Sequence, residues 1–164
     1  TQVHMTAALL LRLIREVPRV ASIKEEAVPT APKIRALMAG MKERKVPVLT
    51  GLGALYGLFD LEAGSSGFNT GFAFPEALTA MVRAARGGDW NKARDIYARF
   101  LPLIVFEQQP GVAVRKEILR LRGAIGCGKV RHPGAALQPA TAGQLRNLLD
   151  ALFPGQDLSR PVVV

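Results

Sequence analysis

The residues best able to do chemistry stand together in Ser22-Ile23-Lys24-Glu25-Glu26, where a lysine closes a short apolar run and two acids follow it. A lysine held at the carboxyl end of a buried parallel strand loses hydration, and desolvation lowers its pKa from the usual value of about 10.4 toward neutrality. The neutral amine is a nucleophile: it adds to a ketone to give a Schiff base, and the protonated imine eases proton loss at the neighbouring carbon. The plain alternative for Lys24 is a side chain that reaches solvent or pairs with a carboxylate such as Glu25.

Other candidates are weaker. Gly51-Leu52-Gly53-Ala54-Leu55-Tyr56-Gly57 follows a strand-like run and opens a helix, yet its glycines fall out of the dinucleotide-binding register and no acid closes the next strand to hold a ribose. Small residues at such a strand end let a substrate carboxylate or hydroxyl approach backbone N–H groups. Cys127 and His132 share a Gly/Pro-rich loop without an evident orienting partner, so an ordinary loop is expected. His4 carries no signal, and Glu25, Glu26 and Glu107 form no pair at a hydrolase spacing.

The elements that must place Lys24 follow from periodicity. Leu10, Leu13, Ile14 and Val17 recur at helical spacing behind a Thr6 N-cap and ahead of Pro18. Val20 to Ile23 is β-branched and apolar, as suits a strand covered on both faces. Thr30 and Pro32 mark a helix start with Ile34, Leu37, Met38 and Met41 as its buried stripe and Gly40 near its end. Val46 to Thr50 is a second strand, followed by a helix carrying Leu55, Tyr56, Phe59 and Leu61, and Gly67 to Gly71 is a third. Pro75 opens a further helix with Leu78, Met81, Val82 and Ala85 inward, stopped at Gly87-Gly88. Strand starts near 20, 46 and 67 are thus one βα unit apart, the signature of a parallel sheet. Beyond Gly88 the pattern is helical: Asp89 caps a helix bent at Pro102, then come 112–121 and 142–153. Residues 89–153 read as a helical cap on an α/β part.

Composition bounds the answer. The 164 residues are 49% hydrophobic, enough for a core and against disorder. No apolar run nears the roughly 20 residues of a membrane span and no signal pattern opens the sequence, so a cytoplasmic protein with no membrane partner is expected. One cysteine cannot staple the fold or build a sulfur cage for a metal. The formal charge of +9 invites a nucleic-acid reading, but Arg12, Arg15, Lys33, Arg44, Arg83, Arg94, Arg115, Arg122 and Arg146 are spread over successive helical segments as a solvated basic surface, so no nucleic-acid partner is expected.

SIKEE, LTGLG, GFNTGFAFPE, ARGGDWNKARDIYARFLPL and VRHP, in this order and spacing, resemble the C-terminal half of the dihydrodipicolinate synthase / N-acetylneuraminate lyase family over about residues 4 to 153. KEEAVPT, GLGALY and TGFAFPE are most similar to its branch of 2-keto-3-deoxy sugar-acid dehydratases and aldolases. The resemblance implies an α/β fold, the C-terminal part of a (β/α)8 TIM barrel: strands six to eight at 20–25, 46–51 and 67–71, barrel units over 1–88 and a C-terminal helical domain over 89–164. It implies a Schiff-base-forming lyase of a 2-keto acid, a dehydratase or aldolase acting on a sugar acid such as 2-keto-3-deoxy-L-arabonate, with dihydrodipicolinate synthase or N-acetylneuraminate lyase activity as the alternative.

Lys24 falls on the family's Schiff-base lysine. Gly51 and Asn69 fall at strand ends facing the keto acid, Asn69 replacing a more usual apolar residue, and Glu26, Thr30, Leu52, Gly53 and Thr70 are neighbours able to read its hydroxyl-bearing tail. No metal or organic cofactor is implied. The family's N-terminal half supplies five more strands, a paired-threonine carboxylate pocket and a proton-shuttling tyrosine, none of which has a counterpart here, since Tyr56 and Tyr97 fall on helices. The expected partners are therefore a missing N-terminal barrel half or partner chain and further copies in a homotetramer. A non-catalytic half-barrel that assembles with another chain is the competing reading.

Overall fold

A computed structural model describes residues 3–109 and 111–164. Residues 1 and 2 of the expected barrel segment lie outside it. The chain forms two compact units, Thr1–Thr70 and Gly71–Val164.

The first unit runs α1 (Ala7–Glu16), β1 (Ile23–Glu25), α2 (Thr30–Gly40), β2 (Val48–Thr50), a single 3-10 turn (Leu52–Ala54), α3 (Gly57–Glu62) and β3 (Gly67–Phe68). Its strands form a parallel sheet in the order β1-β2-β3, with Lys24 opposite Leu49, Glu25 opposite Thr50, and Thr50 opposite Phe68. Thr6 caps α1 as expected, accepting from the Leu9 N–H at 3.2 Å. Leu10 and Ile14 of α1, Ile34, Leu37 and Met41 of α2 or its end, and Val46 and Val48 around β2 bury one another as a single apolar cluster. Burying such side chains supplies the main driving force for this layer.

Several expectations shift. Strand β1 begins at Ile23 rather than Val20, and it is not covered on both faces, because Ala21, Ser22 and Lys24 are exposed. Met38 lies on the solvent side of α2, as do Tyr56 and Phe59 on and beside α3, where Leu61 faces inward as expected and Leu58 joins it. Helix α2 does start at Thr30, whose hydroxyl is turned inward.

The second unit comprises α4 (Pro75–Arg86), α5 (Trp90–Gln108), α6 (Val112–Leu121) and α7 (Pro139–Leu152), with α4 packed along α5. Asp89 caps α5 through the Lys92 N–H at 3.0 Å, and the helix continues through Pro102. Gly88, at φ +79°, ends α4 in a conformation that glycine adopts without steric cost. Phe72, Phe74, Phe100 and Phe153 form the aromatic core, the Phe74 and Phe153 rings lying 4.9 Å apart between centroids. The valine tail at 162–164 forms no strand.

The basic residues are more than a solvated surface. Arg44 donates to the carbonyls of Ile14 (2.6 Å), Val17 (2.9 Å), Pro18 (2.6 Å) and Val20 (2.5 Å), tying down the end of α1 and the chain leading into β1. Arg122 pairs with Glu76 and donates to the Ala73 carbonyl, and Arg99 holds the carbonyls of Leu152 and Val163. Replacing Arg44 by Met leaves those carbonyls without their partner and is expected to lower the unfolding free energy by about 1–3 kcal/mol in urea titrations. Arg44→Lys, lacking the planar fork, should recover only part of the loss.

Candidate active site

Side chains alternate along a strand, so Lys24 points away from the face used by Ile23 and Glu25. That second face is the helix side: Glu25 is 3% exposed, and Val48 and Thr50 beside it on β2 are buried. Lys24 shares the other face with its cross-strand neighbour, half-buried Leu49. The expectation of a dry amine is not met within this chain. The Lys24 side chain is 42% exposed, and its Nζ lies 3.1 Å from Glu26 Oε1.

Glu26 is the centre of the site. Its Oε1 also accepts from the Leu52 N–H at 2.9 Å, so one carboxylate bridges the end of β1 and the turn after β2. Its side chain lies across Gly51, where a Cβ would come within 2.2 Å of Oε1. Gly51 is thus buried beneath Glu26, and its own N–H donates to the Glu25 carbonyl at 3.1 Å. The Leu52 N–H, together with Lys24, holds the Glu26 carboxyl below the usual carboxylate range despite partial burial. Glu26 is therefore an ionised acceptor at neutral pH. The backbone amides expected to receive a substrate anion at Gly51 and Leu52 both have partners already, one of them this carboxylate.

The turn that presents Leu52 has an uncommon shape. Leu52, Gly53 and Ala54 lie at φ +47°, +64° and +72°, three consecutive residues in the left-handed region, two of them with side chains. Each such residue other than glycine costs about 1–2 kcal/mol. A cavity of about 420 Å3 opens beside Lys24, lined in part by Glu25, Glu26, Ala27, Val28 and Lys33.

Of the other expected site residues, Asn69 donates its backbone N–H to the Thr50 carbonyl at 2.8 Å and leaves its side chain exposed just past β3. Thr70 is half-buried and Gly53 buried within its turn. Thr30 does not stand with Lys24 and Glu26 on their side of the sheet. It is 3% exposed on the helix side and donates to Asp60 Oδ1 at 2.6 Å. Thr50 donates to the other oxygen of Asp60, and desolvation raises the pKa of this fully buried acid. Cys127 is exposed in its loop, its sulfur accepting from the Lys129 N–H at 3.4 Å.

Three buried acids carry structure that the sequence reading passed over. Glu25 Oε2 lies 2.9 Å from Lys33 Nζ, a pair signalled by a lysine in the first turn of α2, where the helix dipole disfavours a cation that has no partner. Asp60 sits between Phe59 and Leu61 with no local sign of its threonine partners. Glu107, in the second unit, is fully buried and accepts from Arg115 Nε at 3.0 Å and the Ala73 N–H at 3.3 Å. Desolvation outweighs both bonds and raises its pKa to about 7.

With this geometry in place, the class of protein is clear: a parallel βα chain that presents a lysine and an ionised carboxylate side by side at the end of one strand. L-2-keto-3-deoxyarabonate dehydratase of Azospirillum brasilense is 33% identical over 151 residues, 92% of this chain and 49% of that protein. The crystal structure of dihydrodipicolinate synthase from Rhodopseudomonas palustris matches with a TM-score of 0.86 at 30% identity, over 89% of this chain and 50% of that one. A prophage protein of the same family from E. coli K12, in complex with pyruvate, matches with a TM-score of 0.76 at 25% identity, over 90% of this chain and 51% of that one. No family model matches. The chain belongs to the dihydrodipicolinate synthase family. It spans about half the length of the relatives it matches.

Glu107 sets a pH dependence of stability. Between about pH 4.5, its unfolded value, and about 7, the native chain holds a proton that the unfolded chain has released. Stability therefore falls as pH rises through this window, on the order of 3 kcal/mol for a shift of that size. Glu107→Gln is expected to flatten this slope in urea titrations run from about pH 5.5 to 8, leaving the contribution of Asp60 in the same direction.

Proposed function

We propose that the chain carries the Schiff-base half of a lyase acting on a 2-keto acid, with Lys24 as nucleophile and Glu26 as its proton acceptor. The observation that carries this reading is the contact of Lys24 Nζ with an ionised carboxylate at 3.1 Å, at the carboxyl end of β1 and beside the turn that follows β2. Addition to a carbonyl requires an amine without its extra proton, and Glu26 is placed to take that proton. The amine adds to C2, water leaves, and the resulting iminium draws electrons as the C3 proton departs, giving an enamine. In a dehydratase the enamine then expels the C4 hydroxyl, which takes up a proton and leaves as water, and hydrolysis of the conjugated imine frees Lys24. In an aldolase the C4 hydroxyl instead loses its proton and the C3–C4 bond breaks, its electrons forming the enamine.

The relative from Azospirillum favours the dehydratase course on a 2-keto-3-deoxy sugar acid. Dihydrodipicolinate synthase activity is the alternative. The three strands serve as strands six to eight of a (β/α)8 barrel, the later helices as its C-terminal domain. The residues that close the other side of the site, including a carboxylate pocket and a second proton-transfer group, come from the half that this chain does not contain. Closure by that half would also dry Lys24, which is 42% exposed here. The same exposure favours a second reading, a half-barrel that assembles without performing catalysis.

Cyanoborohydride trapping with pyruvate separates the two. The expected outcome is a covalent adduct mapped to Lys24, absent in Lys24→Met, and slowed about tenfold or more in Glu26→Gln, as for loss of a general base. A wild-type chain that stays unmodified, alone and with an N-terminal family half added, favours the assembly reading.

A further inference from the structure

The buried Glu25 and its partner Lys33 take no part in the chemistry proposed above, yet three of their contacts bear on where Glu26 stands. Glu25 Oε1 accepts from the Ala27 N–H at 2.7 Å, closing the chain around Glu26. Glu25 Oε2 lies 2.9 Å from Lys33 Nζ in the first turn of α2, which anchors that closed turn to the helix. The Glu25 carbonyl accepts from the Gly51 N–H at 3.1 Å, which fixes the residue immediately before Leu52. Glu26 is thus bracketed: the residue before it is tied to α2 and β2, and the residue after it is tied back to Glu25. At 44% exposure, the Glu26 side chain is held over Gly51 by few contacts, chiefly the Leu52 N–H and Lys24, so the placement of its backbone matters.

We propose that Glu25 and Lys33 are positioning residues, an ion pair on the helix side of the sheet that aims Glu26 at Lys24 and at the Leu52 amide on the opposite side. The pair is suited to this role by burial. Glu25 is 3% exposed and Lys33 18%, so loss of one charge strands the other in a poorly hydrated place. An unpaired Glu25 carboxylate would turn toward water, release the Ala27 N–H and let the Glu26 turn open. Removing both charges while keeping an oxygen for Ala27 avoids that penalty. The inference rests on the Schiff-base reading only for its catalytic consequence; the placement of Glu26 can be read without it.

The test uses the full chain as Lys33→Met, Lys33→Arg and the double variant Glu25→Gln/Lys33→Met, with two readouts. The first is hydrogen exchange at the Leu52 amide, which reports Glu26 whether or not any keto acid reacts. Lys33→Met is expected to speed it about tenfold relative to the Val48 and Leu49 amides, and the other two variants to restore most of the protection. The second is the rate of cyanoborohydride trapping across pyruvate concentrations. Lys33→Met is expected to lower the saturating rate about tenfold or more, with the half-saturating concentration within about twofold, as for a misplaced catalytic group. Unchanged Leu52 exchange in Lys33→Met overturns the inference. So does a uniform rise across β1 and β2 that the double variant fails to reverse, since that is the mark of a purely structural pair. A wild-type chain that is never trapped while Leu52 responds as expected overturns the Schiff-base reading and leaves the positioning of Glu26 standing.

Discussion

Alternation across a three-residue strand is the constraint from which the first unit follows. Because successive side chains in β1 leave on opposite faces, Lys24 and Glu25 cannot share an environment. The helix-facing member is dry and needs partners, which it finds in Lys33 and the Ala27 amide. The other member, Lys24, stays partly exposed and pairs with Glu26 instead. A one-residue slip in the pairing of β1 with β2 would exchange the two, burying an amine beneath α2 and exposing an acid. The register of Ile23 with Val48 is pinned by apolar burial, so the hydrophobic layer under the sheet decides which group faces outward above it.

The alternation of strands and helices was legible in the sequence because each element carried its own period and its own punctuation. Thr6, Pro75, the Gly87-Gly88 pair and Asp89 act where local chemistry places them. Strand extents were not legible to the same degree. Val20 looks like strand by residue type, yet its own carbonyl is claimed by Arg44. The inward face of α3 was concealed by Asp60, a polar residue occupying a core position, so that Tyr56 and Phe59 looked like the better candidates for burial.

At the site, Lys24 and its setting at a strand end could be read directly, and the order of motifs around it identified the family. What could not be read was which of two neighbouring acids would stand next to the amine. Glu25 and Glu26 are chemically alike, and only the pleat and the turn tell them apart. Thr30 illustrates the same limit from the other side: eight positions after Ser22 it lies close to the site in sequence, but the first turn of α2 carries it underneath the sheet. The formal charge of +9 likewise misleads when taken as surface charge, since Arg44, Arg99, Arg115 and Arg122 spend their donors on carbonyls and buried acids.

The turn at Leu52–Ala54 winds with the opposite hand to an ordinary helical turn. Branching at Cβ worsens the crowding that L-residues meet in that conformation, so valine, isoleucine and threonine are poorly tolerated at 52 and 54. Natural variation here should drift toward glycine or asparagine, and each such drift would relax the loop while loosening the amide that it offers to Glu26. Local discomfort of the backbone and a fixed place for one hydrogen are, at this corner of the molecule, the same property.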